Sequence, residues 1–209
     1  MVSPRARAWI FAFVISMGPG LARVASATVA EQRARLPPPA DCEDPVTGTW
    51  MAHTYSDNLR MWTEWTLTVG RDPAEREKLT GRIVNHSWDG PKADPKPPLC
   101  TGRLRAVISM DAEGKVEDGV IHFFGVGEWR LDEVLCGRWS GGYNLDHFSG
   151  QIDDALHEFQ SVNNDGGMAV NEPTVFRRVR CLDDASLQLP AHVDPPPFQP
   201  PSAGCMGGF

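Results

Sequence analysis

The chain carries few of the signals that announce chemistry. It has only five cysteines in 209 residues. None forms a C-x-x-C pair or stands beside a histidine pair, so their spacing matches no zinc pattern. There is no serine-hydrolase elbow, no phosphate loop and no zinc-hydrolase helix. Positive charge is scarce: 20 Lys and Arg stand against 27 Asp and Glu, a formal charge of -7. An acidic surface repels phosphate backbones, so nucleic acid is not an expected partner. Past the N-terminus no apolar run approaches the ~20 residues that span a bilayer, and no membrane insertion is expected. No internal repeat is visible.

The first residues are Met1-Val2-Ser3-Pro4-Arg5-Ala6-Arg7, positive and without acid, followed by an apolar stretch from Trp9 to Leu21. Gly18-Pro19-Gly20 interrupts that stretch, which argues against a membrane anchor. Ala25-Ser26-Ala27 has the small-x-small form that signal peptidase reads. Residues 1–27 are therefore expected to be an export signal cleaved after Ala27, and the protein to be secreted or periplasmic. Loss of Arg5, Arg7 and Arg23 makes the remainder more acidic still.

In an oxidising compartment cysteines pair. Cys42 and Cys181 bracket the patterned part of the chain, and are expected to staple its two ends. Cys100 and Cys136 would then pair within it, leaving Cys205 over in a glycine-rich tail. Residues 28–41 are polar, end in prolines and read as a linker, and residues 182–209 read as an extended or disordered Pro/Gly-rich tail. The domain is expected over residues 42–181.

Within that domain the apolar period is two. Met61, Thr63, Trp65, Leu67 and Val69 form one face of a strand, and Trp62, Glu64, Thr66 and Thr68 the other. Shorter runs at Thr49–Tyr55, Leu79–Ser87, Gly102–Ser109, Val116–Phe124, Val126–Leu135, Arg138–Tyr143, Phe148–Ile152, Leu156–Val162 and Thr174–Cys181 alternate likewise. Asp111-Ala112-Glu113-Gly114 reads as a turn, and Asn163-Asn164-Asp165-Gly166-Gly167 as a loop. Helical turns are expected only at Asp72–Lys78 and Asp153–Glu158. The expected fold is all-β: an antiparallel up-and-down barrel of about eight to ten strands, with a β-sandwich as the alternative.

The domain opens with Thr47-Gly48-Thr49-Trp50 and closes with Phe176-Arg177-Arg178-Val179-Arg180-Cys181. The pairing of Gly-x-Trp on a first strand with arginine on a last one resembles the calycin group of lipocalins, fatty-acid-binding proteins and avidins. The resemblance implies a closed barrel in which one of Arg177, Arg178 and Arg180 stacks on Trp50. It also implies a small ligand held in the barrel mouth.

Several side chains are candidates for function. Trp62, Trp65, Trp129, Trp139 and Tyr143 offer flat faces for an apolar, aromatic or glycan ligand. Trp62 and Trp65 have opposite parity, so only one of them faces the core. His122 and Glu128 flank Phe124-Gly125-Val126-Gly127. A hairpin centred on Gly125 would make them cross-strand neighbours, a pairing that suits general-base catalysis by an isomerase, lyase or hydrolase. One long strand with a glycine bulge would instead separate them. Asp146, His147, Asp153, Asp154 and His157 form a second polar group, without calcium-loop spacing. No metal and no cofactor is assigned. The leading expectation is a secreted barrel that binds a small molecule. A secreted enzyme and a carbohydrate-binding or cell-surface module are the alternatives.

Overall fold

The computed structural model describes residues 28–97, 105–135, 141–167 and 172–182. Its elements are helix α1 (Val29–Arg35) and strands β1 (Gly48–Ser56), β2 (Met61–Arg71), β3 (Lys78–Asp89), β4 (Arg105–Glu117), β5 (Val120–Leu135), β6 (His147–Asp153), β7 (Glu158–Val162) and β8 (Pro173–Arg180). The eight strands run antiparallel in chain order and close into one barrel. Closure pairs the ends of the sheet, with Trp50 opposite Arg178 and Met51 opposite Arg177. Closure leaves no free edge strand for another chain to extend, apart from the first half of β8. The expected signal peptide, the Pro/Gly-rich tail, Cys100, Cys136, Cys205 and Trp139 lie outside the described residues.

The period-two pattern becomes the division between inside and outside. Trp50, Leu67, Ile83, Phe123, Phe159 and Phe176 point inward and are buried. Phe159 and Phe176 stack at 4.9 Å, and Trp50 meets Phe159 edge-on at 5.2 Å. This packing fills one end of the barrel with side chains. Arg178 closes that end: it is 2% exposed, and its guanidinium lies 5.5 Å from the centre of the Trp50 ring. Gly48 makes the approach possible. Its φ is +142°, and a Cβ there would stand 2.6 Å from the carbonyl oxygen of Arg180. The Cys42–Cys181 disulfide ties the segment before β1 to the end of β8.

Some expectations are corrected, and one open alternative is decided. Residues 111–114 are not a turn but part of β4, which runs on to Glu117. The hairpin lies at Asp118-Gly119, both with positive φ. Of the two geometries open at Gly125, the structure shows one long strand and no hairpin there, since β5 runs from Val120 to Leu135. Gly127, at φ +71°, and the register shifts against β4 mark bulges that bend this long ribbon. Finally, the segment expected as a linker contains α1. Thr28 and Glu31 form a capping box at its start.

Helix α1 has a definite place in the barrel wall. β8 pairs with β1 only from Arg177 onward, so its first half lacks a strand on that side. Gln32 fills the gap. Its Nε2 donates to the carbonyl of Pro173 at 2.7 Å, and its Oε1 accepts from the Val175 N–H at 2.9 Å. One buried side chain thus supplies the hydrogen bonds of a missing strand.

Candidate functional site

The other end of the barrel is not filled. Where β1 and β3 end, and β2, β4 and β8 begin, a cavity of about 270 Å³ opens among inward-facing side chains. A water molecule's share of liquid volume is about 30 Å³, so the space suits a small organic molecule. Met61, Trp65, Ala106 and Ile108 make an apolar wall from β2 and β4. Thr54, Thr63, Ser87, Asn85 and Thr174 add hydroxyls and an amide, while Asp165 and Glu172 are its acids. Tyr143 and Asn144, on the segment between β5 and β6, and Asn163, after β7, add to the lining. No lysine, arginine or histidine lines the cavity among the described residues.

A chain of hydrogen bonds links these lining groups to Asp146. Thr63 and Ser87 hydroxyls meet at 3.2 Å, and the Ser87 hydroxyl donates to Asn85 Oδ1. Asn85 Nδ2 donates to the Tyr143 hydroxyl at 2.6 Å, and Tyr143 in turn contacts Asp146 Oδ2 at 2.9 Å. Asn163 Nδ2 donates to Asp146 Oδ1 at 2.9 Å and to Asp165 Oδ2 at 3.1 Å. Asn163 is itself oriented by the His147 N–H, which donates to its Oδ1 at 3.2 Å.

Asp146 is fully buried. Burial is the main cause that pushes its carboxyl up to about 8, with Asp165 adding to the rise and hydrogen bonds from Tyr143 and Asn163 opposing it. The Tyr143 hydroxyl is held well above its ordinary range, first by burial and then by Asp146. The place for a buried acid arises because β6 and β7 splay apart. Their ladder holds only Ile152 with Phe159 and Asp153 with Glu158. Nearer the cavity, side chains take over: Ser149 N–H donates to the Ser161 hydroxyl at 2.8 Å, and His147 N–H to Asn163.

The structure sorts the expected ligand-binding aromatics. Trp65 and Tyr143 line the cavity. Trp129, half-buried on β5, backs Tyr143 with ring centres 6.2 Å apart. Trp62 does not reach the cavity. It is buried on the outer face of the sheet with Tyr55 and Trp88, its Nε1 donating to the Pro91 carbonyl at 3.1 Å. Arg35 of α1 lies 4.7 Å from its ring centre. His53 packs on this outer group, 5.0 Å from Trp62 and 5.7 Å from Trp88. Burial, then Arg35 and His86, press the His53 imidazole down to about 4.

His122 and Glu128 stand on one strand and do not meet as hairpin partners. His122 is half-buried opposite Lys115 and Ser149, while Glu128 is exposed, and neither lines the cavity. Of the second polar group, Asp146 belongs to the buried network. Asp153 caps the β6–β7 turn by accepting from the Ala155 and Leu156 N–H groups. His157 contacts Arg178 through Nδ1 at 3.1 Å, at the filled end. Among the described residues no three of His, Cys, Asp and Glu are arranged to hold a metal ion. No described helix is long and apolar enough to cross a membrane.

Asn85 was not singled out from the sequence; Asp146 stood only in the second polar group, and Asn163 only in the Asn163–Gly167 loop. Asn85 carried a signal: it follows Leu79, Gly81 and Ile83 at inward parity. Asp146 and Asn163 flank β6 and β7 and had none beyond polarity. Comparison with family models, with curated proteins and with solved structures found no match.

Proposed function

We propose that this protein is a secreted binding protein that holds one small ligand, with an apolar or aromatic body and a polar edge, in the mouth of its barrel. The observation that carries the reading is the cavity itself, with the indole of Trp65 on one side and the Asn85–Tyr143–Asp146 network on the other. A rigid aromatic wall gives contact area at little entropic cost, and a few fixed polar groups give orientation. The closed barrel and the Trp50–Arg178 contact agree with a calycin-like architecture, and the disulfide with an oxidising compartment. Enzymatic work by His122 and Glu128 gains no support from the geometry, since neither side chain reaches the cavity. A glycan platform loses Trp62, which is buried under Arg35 and the Pro91 backbone.

Phenylnaphthylamine, a neutral probe that brightens in apolar sites, tests the reading. Saturable enhancement is expected with the native chain and not with Ala106→Phe, which fills the cavity from β4. Equal enhancement in both folded proteins, or none in either, would count against binding at this site.

A further inference from the structure

We infer that the cavity takes a small protonated amine, an ammonium group on an apolar body, because its hydroxyl lining accepts hydrogen bonds and has none of its own hydrogens left to give. The inference rests on the binding reading above and names the ligand chemistry of the same cavity.

The hydroxyls set the polarity. Thr54 donates to the Thr63 carbonyl at 3.4 Å, Ser56 to Glu172 Oε1 at 3.1 Å, and Thr174 to the Glu172 carbonyl at 3.3 Å. The Ser87 hydrogen goes to Asn85 Oδ1, so Thr63 is the donor in its 3.2 Å contact with Ser87. A hydroxyl has one hydrogen and two lone pairs. Every Ser and Thr of the lining has therefore committed its hydrogen to the protein and keeps lone pairs for what enters. Ser56, Thr63 and Thr174 are buried, and no described donor reaches their oxygens. An oxygen taken from water without a donor is costly, and a donating ligand removes that cost.

The other polar groups add few donors. Asn163 gives both Nδ2 hydrogens away, to Asp146 Oδ1 at 2.9 Å and to Asp165 Oδ2 at 3.1 Å. Tyr143 donates to Asp146 Oδ2 at 2.9 Å. Asn85 and Asn144 each give one amide hydrogen to the protein, to the Tyr143 hydroxyl and the Asp165 carbonyl.

Charge then separates an amine from an alcohol. Asp165 lines the cavity, and its carboxylate is held by N–H groups, those of Asn163 and, at 2.6 Å, Gly167. No Lys, Arg or His lines the cavity among the described residues, so no cation of the lining answers Asp165. An ammonium group brings donors, no acceptor, and a charge opposite to that of Asp165. Trp65 offers its indole to the same space, and an indole attracts a cation as well as an apolar body. A carboxylate, a phosphate or a ketone would set lone pairs against lone pairs. The chain's formal charge of -7 draws cations toward it and repels anions.

Three ligands that share a phenyl body test the assignment by calorimetry: phenethylamine, a cation; 2-phenylethanol, which is neutral; and 3-phenylpropionate, an anion. At neutral pH phenethylamine is expected to bind about tenfold tighter than 2-phenylethanol, the scale of one charge-assisted hydrogen bond, with 3-phenylpropionate the weakest. Asp165→Asn should weaken phenethylamine about tenfold and leave 2-phenylethanol unchanged. Thr54→Val, which keeps the shape and removes an acceptor, should weaken phenethylamine and leave phenylnaphthylamine bound. Ala106→Phe should abolish binding of all of them.

Equal affinity for the amine and the alcohol, 3-phenylpropionate bound as tightly as phenethylamine, or an equal loss of amine and alcohol in Asp165→Asn would overturn the amine assignment. So would binding of phenylnaphthylamine with none of the three. The binding cavity stands in each of those cases. Failure of phenylnaphthylamine and all three ligands to bind would remove the cavity reading and this inference with it.

Discussion

The guanidinium of Arg178, from the last strand, lies 5.5 Å from the ring centre of Trp50, on the first. Behind it, Arg178 donates to the Asp44 carbonyl at 2.7 Å and the Ala40 carbonyl at 3.3 Å. One side chain therefore seals the filled end of the barrel, closes the sheet and holds the strap that leads into β1. Arg178→Ala is expected to destabilise by about 3 kcal/mol, because it removes a stacked cation and strips partners from two carbonyls. Denaturant unfolding measures this. A loss below about 0.5 kcal/mol would show that the contact is incidental.

Gln32 makes a similar prediction at the barrel wall. Gln32→Ala removes both hydrogen bonds that stand in for the missing strand beside Pro173 and Val175. A loss of about 2 kcal/mol is expected, with faster amide exchange at Val175. Unchanged protection at Val175 would mean that α1 is dispensable for the wall.

Asp146 gives a signed pH dependence of stability. Its folded value, about 8, lies above its ordinary 3.8. Between these values the native state holds a proton that the unfolded chain has released, so stability falls as pH rises through the window. Asp146→Asn lacks this group. The stability difference between variant and native chain is expected to move in the variant's favour by about 1.4 kcal/mol per pH unit between about pH 5 and pH 7. Parallel curves would show that the acid titrates normally.

His53 acts in the opposite sense. Its folded value of about 4 lies below the ordinary 6.5. The stability contributed by its neutral form is therefore present above pH 6.5 and lost as pH falls toward 4. His53→Gln should flatten the acid limb of the stability profile. A limb as steep as before would place the responsible group elsewhere.

Reduction of Cys42–Cys181 opens a loop with a sequence separation of 139. Chain entropy alone predicts a loss of roughly 4–5 kcal/mol. A melting temperature unchanged by reductant, with free thiols confirmed by mass, would show that the strap holds without the bond.

The glycines of β5 show where local reading stops. A glycine serves equally as a hairpin centre and as a bulge, so Gly125 and Gly127 alone do not tell one long strand from two. Only pairing decides: β5 faces β4 along nearly its whole length, and β6 only from Val120 to Phe124. Gly114 similarly looks like a turn residue. It is glycine because a Cβ there would lie 2.1 Å from the His122 carbonyl oxygen. Thr28 and Glu31 form a capping box inside what reads as a linker, yet a helix of seven residues is not stable by itself. Docking on β8 is what keeps α1 in place.

Local pattern in the chain carries the strand period, the Gly48-x-Trp50 opening, the arginine-rich close and the two cysteines that join them. These depend on neighbours one or two residues apart, or on ends that closure must bring together. Tertiary structure alone decided that Trp65 faces the cavity while Trp62 is buried outside, because parity fixes opposition between two faces and not which face is inward. It also decided the site. Asn85, the Tyr143–Asp146 segment and Asn163 come from three separate parts of the chain. Burial of the acid, which sets its charge, exists only once the barrel has closed around it.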